Sequence, residues 1–320
     1  MAAPAYQAPR WLSNPHLQTL HASVLAATPA VAYRRERWET PDGDFIDLDH
    51  VDGAPGAPRV LLFHGLEGSS GSSYARALMH RVKARGWRGT VVNFRGCSGE
   101  PNRLARAYHS GDSAEVDWIV RRLAPLANGA PLYAAGVSLG GNALLKWLGE
   151  LGEEAAGFVA RAAAVSAPLD LMAAGEALGR GFSLVYAKHF LATLKARSGA
   201  KLARFPGIFD GARMRRSRTL REFDDVVTAP LHGYRDTDDY WTRASSKPLL
   251  GRIAVPTLVL NARDDPFLPA GALPGPGEVS PAVTLEFPST GGHVGFVSGP
   301  FPGHIGWLPE RLLQFFDPPD

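Results

Sequence analysis

One serine in this chain stands where its hydroxyl could become a nucleophile. Gly136-Val137-Ser138-Leu139-Gly140-Gly141 closes the apolar run Leu132–Val137 and opens a helix-like pattern. Glycines two positions before and after the serine let a strand turn sharply into a helix, with the hydroxyl exposed at the turn. A serine hydroxyl is a weak nucleophile at neutral pH and needs a base. On such turns the acid, and then the histidine, follow the serine along the chain. Of ten histidines only His293 and His304 come after the acidic candidates Asp264 and Asp265. His293 lies in Gly291-Gly292-His293-Val294-Gly295, whose glycines allow a loop to carry an imidazole over a sheet edge, so it is the expected base. His304, among Pro and Gly before the last helix pattern, is expected to be a surface or capping residue. Asp264 and Asp265 end a strand pattern, where neighbours point to opposite faces. One of them can face His293, and spacing leaves both open. A developing oxyanion needs preorganised N–H donors. The expected pair is the N–H of Leu139, directly after the serine, and that of Leu66 in His64-Gly65-Leu66-Glu67-Gly68. His64 is expected to be a structural hydrogen-bonding residue, not a second base.

These residues need a frame. Short apolar runs recur at Val60–Phe63, Thr90–Phe94, Leu132–Val137, Ala162–Ser166, Thr257–Asn261 and Val283–Phe287. Strands of this kind are buried on both faces, which predicts a mostly parallel sheet covered by helices. Helix patterns fill Ser73–Arg85, Ser113–Leu126 and Gly140–Leu151, and a terminal helix ends at Phe316. Strand–helix alternation in this order gives a doubly wound α/β fold. Before it, Glu36–Thr40 and Phe45–His50 flank Pro41-Asp42-Gly43 as a hairpin. The connection from Ser166 to Thr257 runs to about 90 residues, far more than a crossover needs. Residues 168–250 therefore read as an inserted helical cap over the carboxyl edge of the sheet, where open α/β sheets bind ligands. The expected organisation is one domain over 1–320, with this cap inside it and a lead-in segment over 1–35.

Composition narrows the chemistry. The chain has 320 residues, 45% hydrophobic and 20% charged, as in ordinary globular enzymes. No stretch approaches the roughly 18–20 uncharged apolar residues of a membrane helix, and no secretory leader pattern opens the chain. One cysteine excludes an intrachain disulfide and a Cys-rich metal site. Cys97 follows the second buried strand without a nucleophile turn around it, and is expected in the wall of the site. No His-x-x-x-His spacing supports a catalytic metal, and no Gly-x-Gly-x-x-Gly opens an early helix. The expectation is no metal and no cofactor. A net charge of +3 with arginines spread along the chain does not argue for nucleic acid. Arg213, Arg215, Arg216, Arg218 and Arg221 are expected to form a solvated helix face.

Longer motifs carry a resemblance. Asn14–Leu20 (NPHLQTL), His64–Gly68, Asn93–Arg103 (NFRGCSGEPNR), Tyr108–Gly111, Gly136–Asn142, Ser166–Asp170, Phe223–Gly233 (FDDVVTAPLHG), Asn261–Pro269 and Gly292–Phe296 span nearly the whole chain. Together they resemble family 4 of the α/β-hydrolase fold, which comprises bacterial hydrolases and the membrane-anchored, lipid-hydrolysing α/β-hydrolase-domain proteins of eukaryotes. The resemblance implies an α/β-hydrolase fold and cleavage of carboxylic esters by a Ser138–Asp–His293 triad. In the family pattern the acid stands four residues before a proline; here that spacing joins Asp265 to Pro269, so Asp265 is the expected acid and Asp264 the second candidate. The sequence lacks the membrane anchor of the eukaryotic relatives, so a cytoplasmic enzyme without stable membrane insertion is expected. Its substrate would be a small-molecule ester with a short- to medium-chain or lipid-like acyl group. The alternatives are acyl transfer by the same triad and a non-catalytic binding protein of the same fold.

Overall fold

The computed structural model describes residues 5–318; residues 1–4 of the lead-in segment, and 319–320 of the expected single domain, lie outside the described residues. Eight strands form one sheet: β1 (Arg34–Glu39), β2 (Phe45–Val51), β3 (Arg59–Phe63), β4 (Arg88–Asn93), β5 (Leu132–Val137), β6 (Arg161–Val165), β7 (Thr257–Leu260) and β8 (Val283–Glu286). Their spatial order is β1-β2-β4-β3-β5-β6-β7-β8. The hairpin β1–β2 and the β2–β4 pair are antiparallel. All other neighbours are parallel. The six apolar runs are the six parallel strands, within a residue or two at their ends.

Successive residues of a strand face opposite sides of a sheet. Leu61, Phe63, Ala134, Ala162 and Ala164 therefore join one core, with Ile119 of α3 (Ser113–Leu123) and Leu144 of α4 (Leu139–Leu151). Val60, Leu62, Ala135, Ala163 and Val165 join the other, with Leu78 of α2 (Ser73–Ala84) and Leu312 of α11 (Trp307–Phe316). This sandwich is why the strands read as continuous apolar runs. The helix expected over Ser113–Leu126 stops at Leu123 and continues as a 3-10 turn, Ala124–Ala127. Pro125 explains the break, since it has no N–H to continue the α-helical ladder.

Ahead of the hairpin lies a short helix, α1 (Pro15–Leu20), started by the Asn14 side chain, which accepts from Leu17 N at 3.1 Å. Between β6 and β7 the chain forms α5 (Leu171–Leu178), α6 (Ser183–Arg204), α7 (Gly211–Arg216), α8 (Leu220–Phe223), α9 (Ala229–Leu231) and α10 (Thr237–Ala244). These helices have small cores of their own, one around Leu191, Met214 and Phe223 and another around Leu171, Tyr240 and Trp241. Among the described residues no helix is long and apolar enough to cross a membrane.

Candidate active site

Ser138 is the single residue between β5 and α4, at φ +51° and ψ −121°. An L-residue holds that conformation only if its surroundings leave no alternative. Glycine makes the turn possible. A Cβ on Gly136 would stand 2.5 Å from Gly140 O; one on Gly140, 2.5 Å from both Phe63 O and His64 O; one on Gly141, 2.9 Å from Ala167 Cβ. The β5 strand end, the β3 loop and the start of α4 are thus pressed together, and Ser138 is projected from the joint.

His293 reaches that hydroxyl. Its Nε2 lies 3.0 Å from Ser138 Oγ, and its Nδ1 lies 2.9 and 3.2 Å from the two carboxylate oxygens of Asp265. A carboxylate only accepts, so Nδ1 carries the proton and Nε2 presents its lone pair to the serine hydroxyl. The Asp265 side chain is fully buried and also accepts from Phe267 N at 2.8 Å. The Phe267 ring stacks on the imidazole at 4.1 Å between centroids. Asp264 points elsewhere: it accepts from Gly292 N at 2.9 Å, and burial raises its carboxyl above the usual range. The two adjacent acids divide the work, one holding the ring and the other the backbone beside it.

The histidine loop is gripped from a third side by α1. His293 N donates to Thr19 Oγ1 at 2.9 Å, and Thr19 Oγ1 donates to Pro15 O at 2.8 Å. A Cβ on Gly292 would lie 2.5 Å from Pro15 O. Gln18 is fully buried below; its Oε1 accepts from Val297 N at 3.3 Å and from Tyr6 OH at 2.9 Å. The motif NPHLQTL is therefore a clasp on the loop that carries His293. Sequence reading singled out the motif without its role, because the partner lies some 270 residues away.

The loop after β3 lies against the serine: a Cβ on Gly65 would be 3.1 Å from Ser138 Cβ. Its N–H groups are mostly committed. Gly65 N donates to Tyr74 OH at 2.9 Å, Glu67 N to Tyr108 OH at 2.8 Å and Gly68 N to Gly65 O at 3.0 Å. Among the described residues, the N–H groups of Leu66 and Leu139 have no such partner. Glu67, at φ +57°, accepts from Tyr108 OH at 2.9 Å and pairs with Arg197 Nε of α6 at 3.2 Å. His64 is fully buried: its Nδ1 donates to Gly65 O at 2.7 Å and its Nε2 accepts from Phe94 N at 3.1 Å. Burial pushes its pKa down to about 4, so it is a neutral spacer under the loop.

Ser138, His293, Leu66 and Leu139 line a cavity of about 1010 Å³, which α5 and α6 wall on the far side with Leu178, Phe190 and Leu194. Its other end is polar, lined by Asn102 and by Arg197, Lys201 and Arg204 of α6. There Lys201 Nζ donates to Asn102 Oδ1 at 2.9 Å and to Arg106 O at 2.6 Å, and burial pulls its pKa down to about 8. Cys97 is not in this wall, as the sequence suggested. It is buried behind the wall, its Sγ accepting from Arg197 at 3.1 Å, and burial pushes the thiol up to about 11. Its neighbours Gly96 and Gly99 take the lining positions. His304 is exposed and accepts from Gly306 N at 3.2 Å. Arg213, Arg215, Arg216 and Arg218 are exposed, and Arg221 pairs with Asp238.

Comparison with other proteins agrees with the fold. The family described as "alpha/beta hydrolase fold" matches residues 58–300. YheT of Escherichia coli (strain K12), a protein named as an esterase, is 42% identical over 308 residues, covering 95% of this chain and 90% of its own. Phospholipase ABHD3 of Mus musculus is 34% identical over 315 residues, covering 95% of this chain and 76% of its own. Among solved structures, the Pyrococcus furiosus esterase PF2001 shares the fold, with a TM-score of 0.54 at 15% identity over 98% of this chain and 97% of that one. The chain belongs to the α/β-hydrolase fold family.

Proposed function

We propose that this protein is a serine hydrolase of carboxylic esters, with Ser138 as nucleophile, His293 as base and Asp265 as the acid that orients it. One observation carries the reading: the hydrogen-bonded line Ser138–His293–Asp265, with links of 3.0 and 2.9 Å, at the floor of a largely apolar cavity. The names of the relatives, an esterase and a phospholipase, support the same substrate chemistry.

The reaction runs in two balanced halves. Ser138 Oγ bonds to the ester carbonyl carbon as its proton passes to His293 Nε2. The tetrahedral oxyanion accepts from Leu66 N and Leu139 N, the two uncommitted donors beside the serine. The carbon–alkoxide bond then breaks, and His293 returns the proton to the leaving oxygen. Water attacks the acyl-enzyme under the same imidazole, the Oγ–acyl bond breaks, and the free acid leaves. Asp265 keeps the Nδ1–H tautomer and stabilises the imidazolium. The helices between β6 and β7 act as a cap that keeps the acyl chain out of water. Their apolar lining suits short- to medium-chain or lipid-like acyl groups.

The test is labelling by a fluorophosphonate probe together with turnover of p-nitrophenyl esters. Ser138→Ala should keep the fold, lose the label and lose turnover by about 10⁴-fold or more. Retained labelling in that variant would remove Ser138 from the chemistry. A chain-length series of esters then measures how far the cavity accepts the acyl group.

A further inference from the structure

Large apolar side chains left in water are usually scattered. Here they are not. Among the described residues, the exposed large apolar side chains are Trp11, Leu17, Leu20, Val24, Leu25, Leu126, Phe182, Leu184, Val185 and Phe301. All except Leu126 come from three segments: α1 with the turns before and after it, the start of α6, and the loop before α11. Ring contacts join the three. Trp11 meets Phe301 at 5.4 Å and His21 at 5.3 Å, and His16 of α1 meets Phe182 at 4.6 Å. The result is one apolar crest. Leu17, Leu20 and Val24 fall at helical spacing, so they form a stripe like those that normally face a core. This stripe faces solvent, with Val24 74% exposed.

Two further facts name the occupant. First, the exposed residues Leu20, Val24 and Val185 also line the cavity above Ser138, so the crest borders one end of that cavity where it meets the surface. Second, residues 6–35, 177–209 and 287–309, which supply the whole crest, contain no Asp or Glu. They do contain Arg10, Arg180 and Lys188, all exposed. Arg180 pairs with Glu176 at 3.4 Å; among the described residues Arg10 and Lys188 have no acidic partner. Apolar tips on segments that carry exposed cations and no acid of their own match an anionic lipid interface, where side chains enter the acyl boundary and cations meet the head groups. A second copy of the chain fits worse, because a self-complementary contact would bring the unpaired cations Arg10 and Lys188 towards their own copies.

We propose that this crest docks the protein reversibly on an anionic lipid surface, with the adjoining end of the cavity turned towards the bilayer. Docking would let a lipid-like ester pass from the membrane to Ser138 without crossing water. The surface is separate from the reacting groups, so it stands or falls independently of turnover.

The experiment is co-sedimentation of the full chain with vesicles of phosphatidylcholine, alone or mixed with phosphatidylglycerol, at low and high salt. The chain should partition onto the mixed vesicles, far less onto the neutral ones, and should be released by salt. Leu25, Phe182 and Phe301 lie outside the cavity lining. Exchanging all three for serine should weaken partitioning by at least roughly tenfold, since burying even one such side chain is worth about a factor of ten. Its thermal unfolding midpoint should match the parent, which separates lost docking from lost fold. Lys188→Glu should erase the preference for phosphatidylglycerol. Ser138→Ala should dock like the parent whatever its turnover. Equal partitioning of the triple variant and the parent, or no preference for anionic vesicles, would overturn the proposal. So would a concentration-dependent dimer that the triple exchange dissolves without any vesicle binding.

Discussion

Thr19→Val isolates the grip of α1 on the histidine loop. The exchange keeps the shape of the side chain and replaces the hydroxyl by a methyl. It strips the acceptor from His293 N, now 2.9 Å from Thr19 Oγ1, while the chemistry of Ser138, Asp265 and the imidazole is untouched. An N–H left without an acceptor costs about 1–3 kcal/mol where fully buried, and somewhat less at this half-buried position. The loop can avoid that cost only by moving, and a shift of roughly 1 Å at a reacting group is worth about 100-fold in rate. The expected result is a fall in kcat of roughly 10- to 100-fold, with KM for a short soluble ester changed by less than about threefold. Thr19→Ser keeps the acceptor and should recover most of kcat. The assay is steady-state hydrolysis of a p-nitrophenyl ester by the three forms, with thermal unfolding alongside. If Thr19→Val retains kcat, the clasp does not set the position of the imidazole. If Thr19→Ser is as slow as Thr19→Val, the hydroxyl alone does not hold the loop and packing of the methyl contributes as well.

The neighbouring aspartates should separate cleanly: Asp265→Asn should lower kcat by about 10⁴-fold, whereas Asp264→Asn, which weakens only the bond to Gly292 N, should lower it far less; equal losses would contradict the division of labour. Gly140→Ala forces a Cβ to 2.5 Å from two carbonyl oxygens, so it should destabilise the fold by several kcal/mol, about the upper range for a single substitution, in urea unfolding. Burial pushes His64, His109 and His232 down to about 4, 4 and 3. Their folded pKa values lie below the unfolded value of about 6.5. Protons therefore bind the unfolded chain first, and stability should be full above pH ~6.5 and fall towards pH ~4, by up to about 1.4 kcal/mol per pH unit for each histidine. His109→Gln with His232→Gln should remove about two protons from that slope; an unchanged slope in urea midpoints against pH would refute the assignment. Cys97, buried with its thiol pushed up to about 11, should resist a disulfide reagent at pH 8 until the chain unfolds.

What could be read from the sequence was whatever is encoded locally. Leu132–Val137 followed by Ser138 and three nearby glycines is a strand, a turn and a helix written in consecutive residues. The parallel strands were legible for a similar reason: burial on both faces leaves an unbroken apolar run. The clasp was not legible, because Thr19 and His293 meet only after the whole sheet has formed. Nor was the pairing of Arg197 with Glu67, since an arginine on a long helix reads the same whether it faces solvent or the loop after β3. Cys97 was misplaced by one layer. Proximity to the strand end was visible, but the inward turn of its side chain is set by Phe94 O accepting from Cys97 N at 2.8 Å and by Arg197 coming from the far segment.

Strain shows how much of this fold is committed to the site. Among the described residues, non-glycine positions with positive φ are Glu67, Asn128, Ser138, Ser166, Val294 and Phe296. Asn128 caps a surface turn, a place that tolerates it. The other five are Ser138 and residues of the loops beside it: Glu67 in the loop that holds Leu66, Val294 and Phe296 in the histidine loop, and Ser166, whose Oγ accepts from Val294 N at 3.2 Å. Each such residue costs on the order of 1–3 kcal/mol. Five together approach the whole net stability of a typical domain, about 5–15 kcal/mol. The two packed faces of the sheet must offset that sum, and the clasp, Asp264 and the Tyr108–Glu67–Arg197 link keep it from relaxing. A variant that loosens one of these links should therefore lose little stability, since released strain offsets part of the lost contact, while losing turnover. A merely structural contact would do the reverse, and measuring both quantities on one variant tells the two apart.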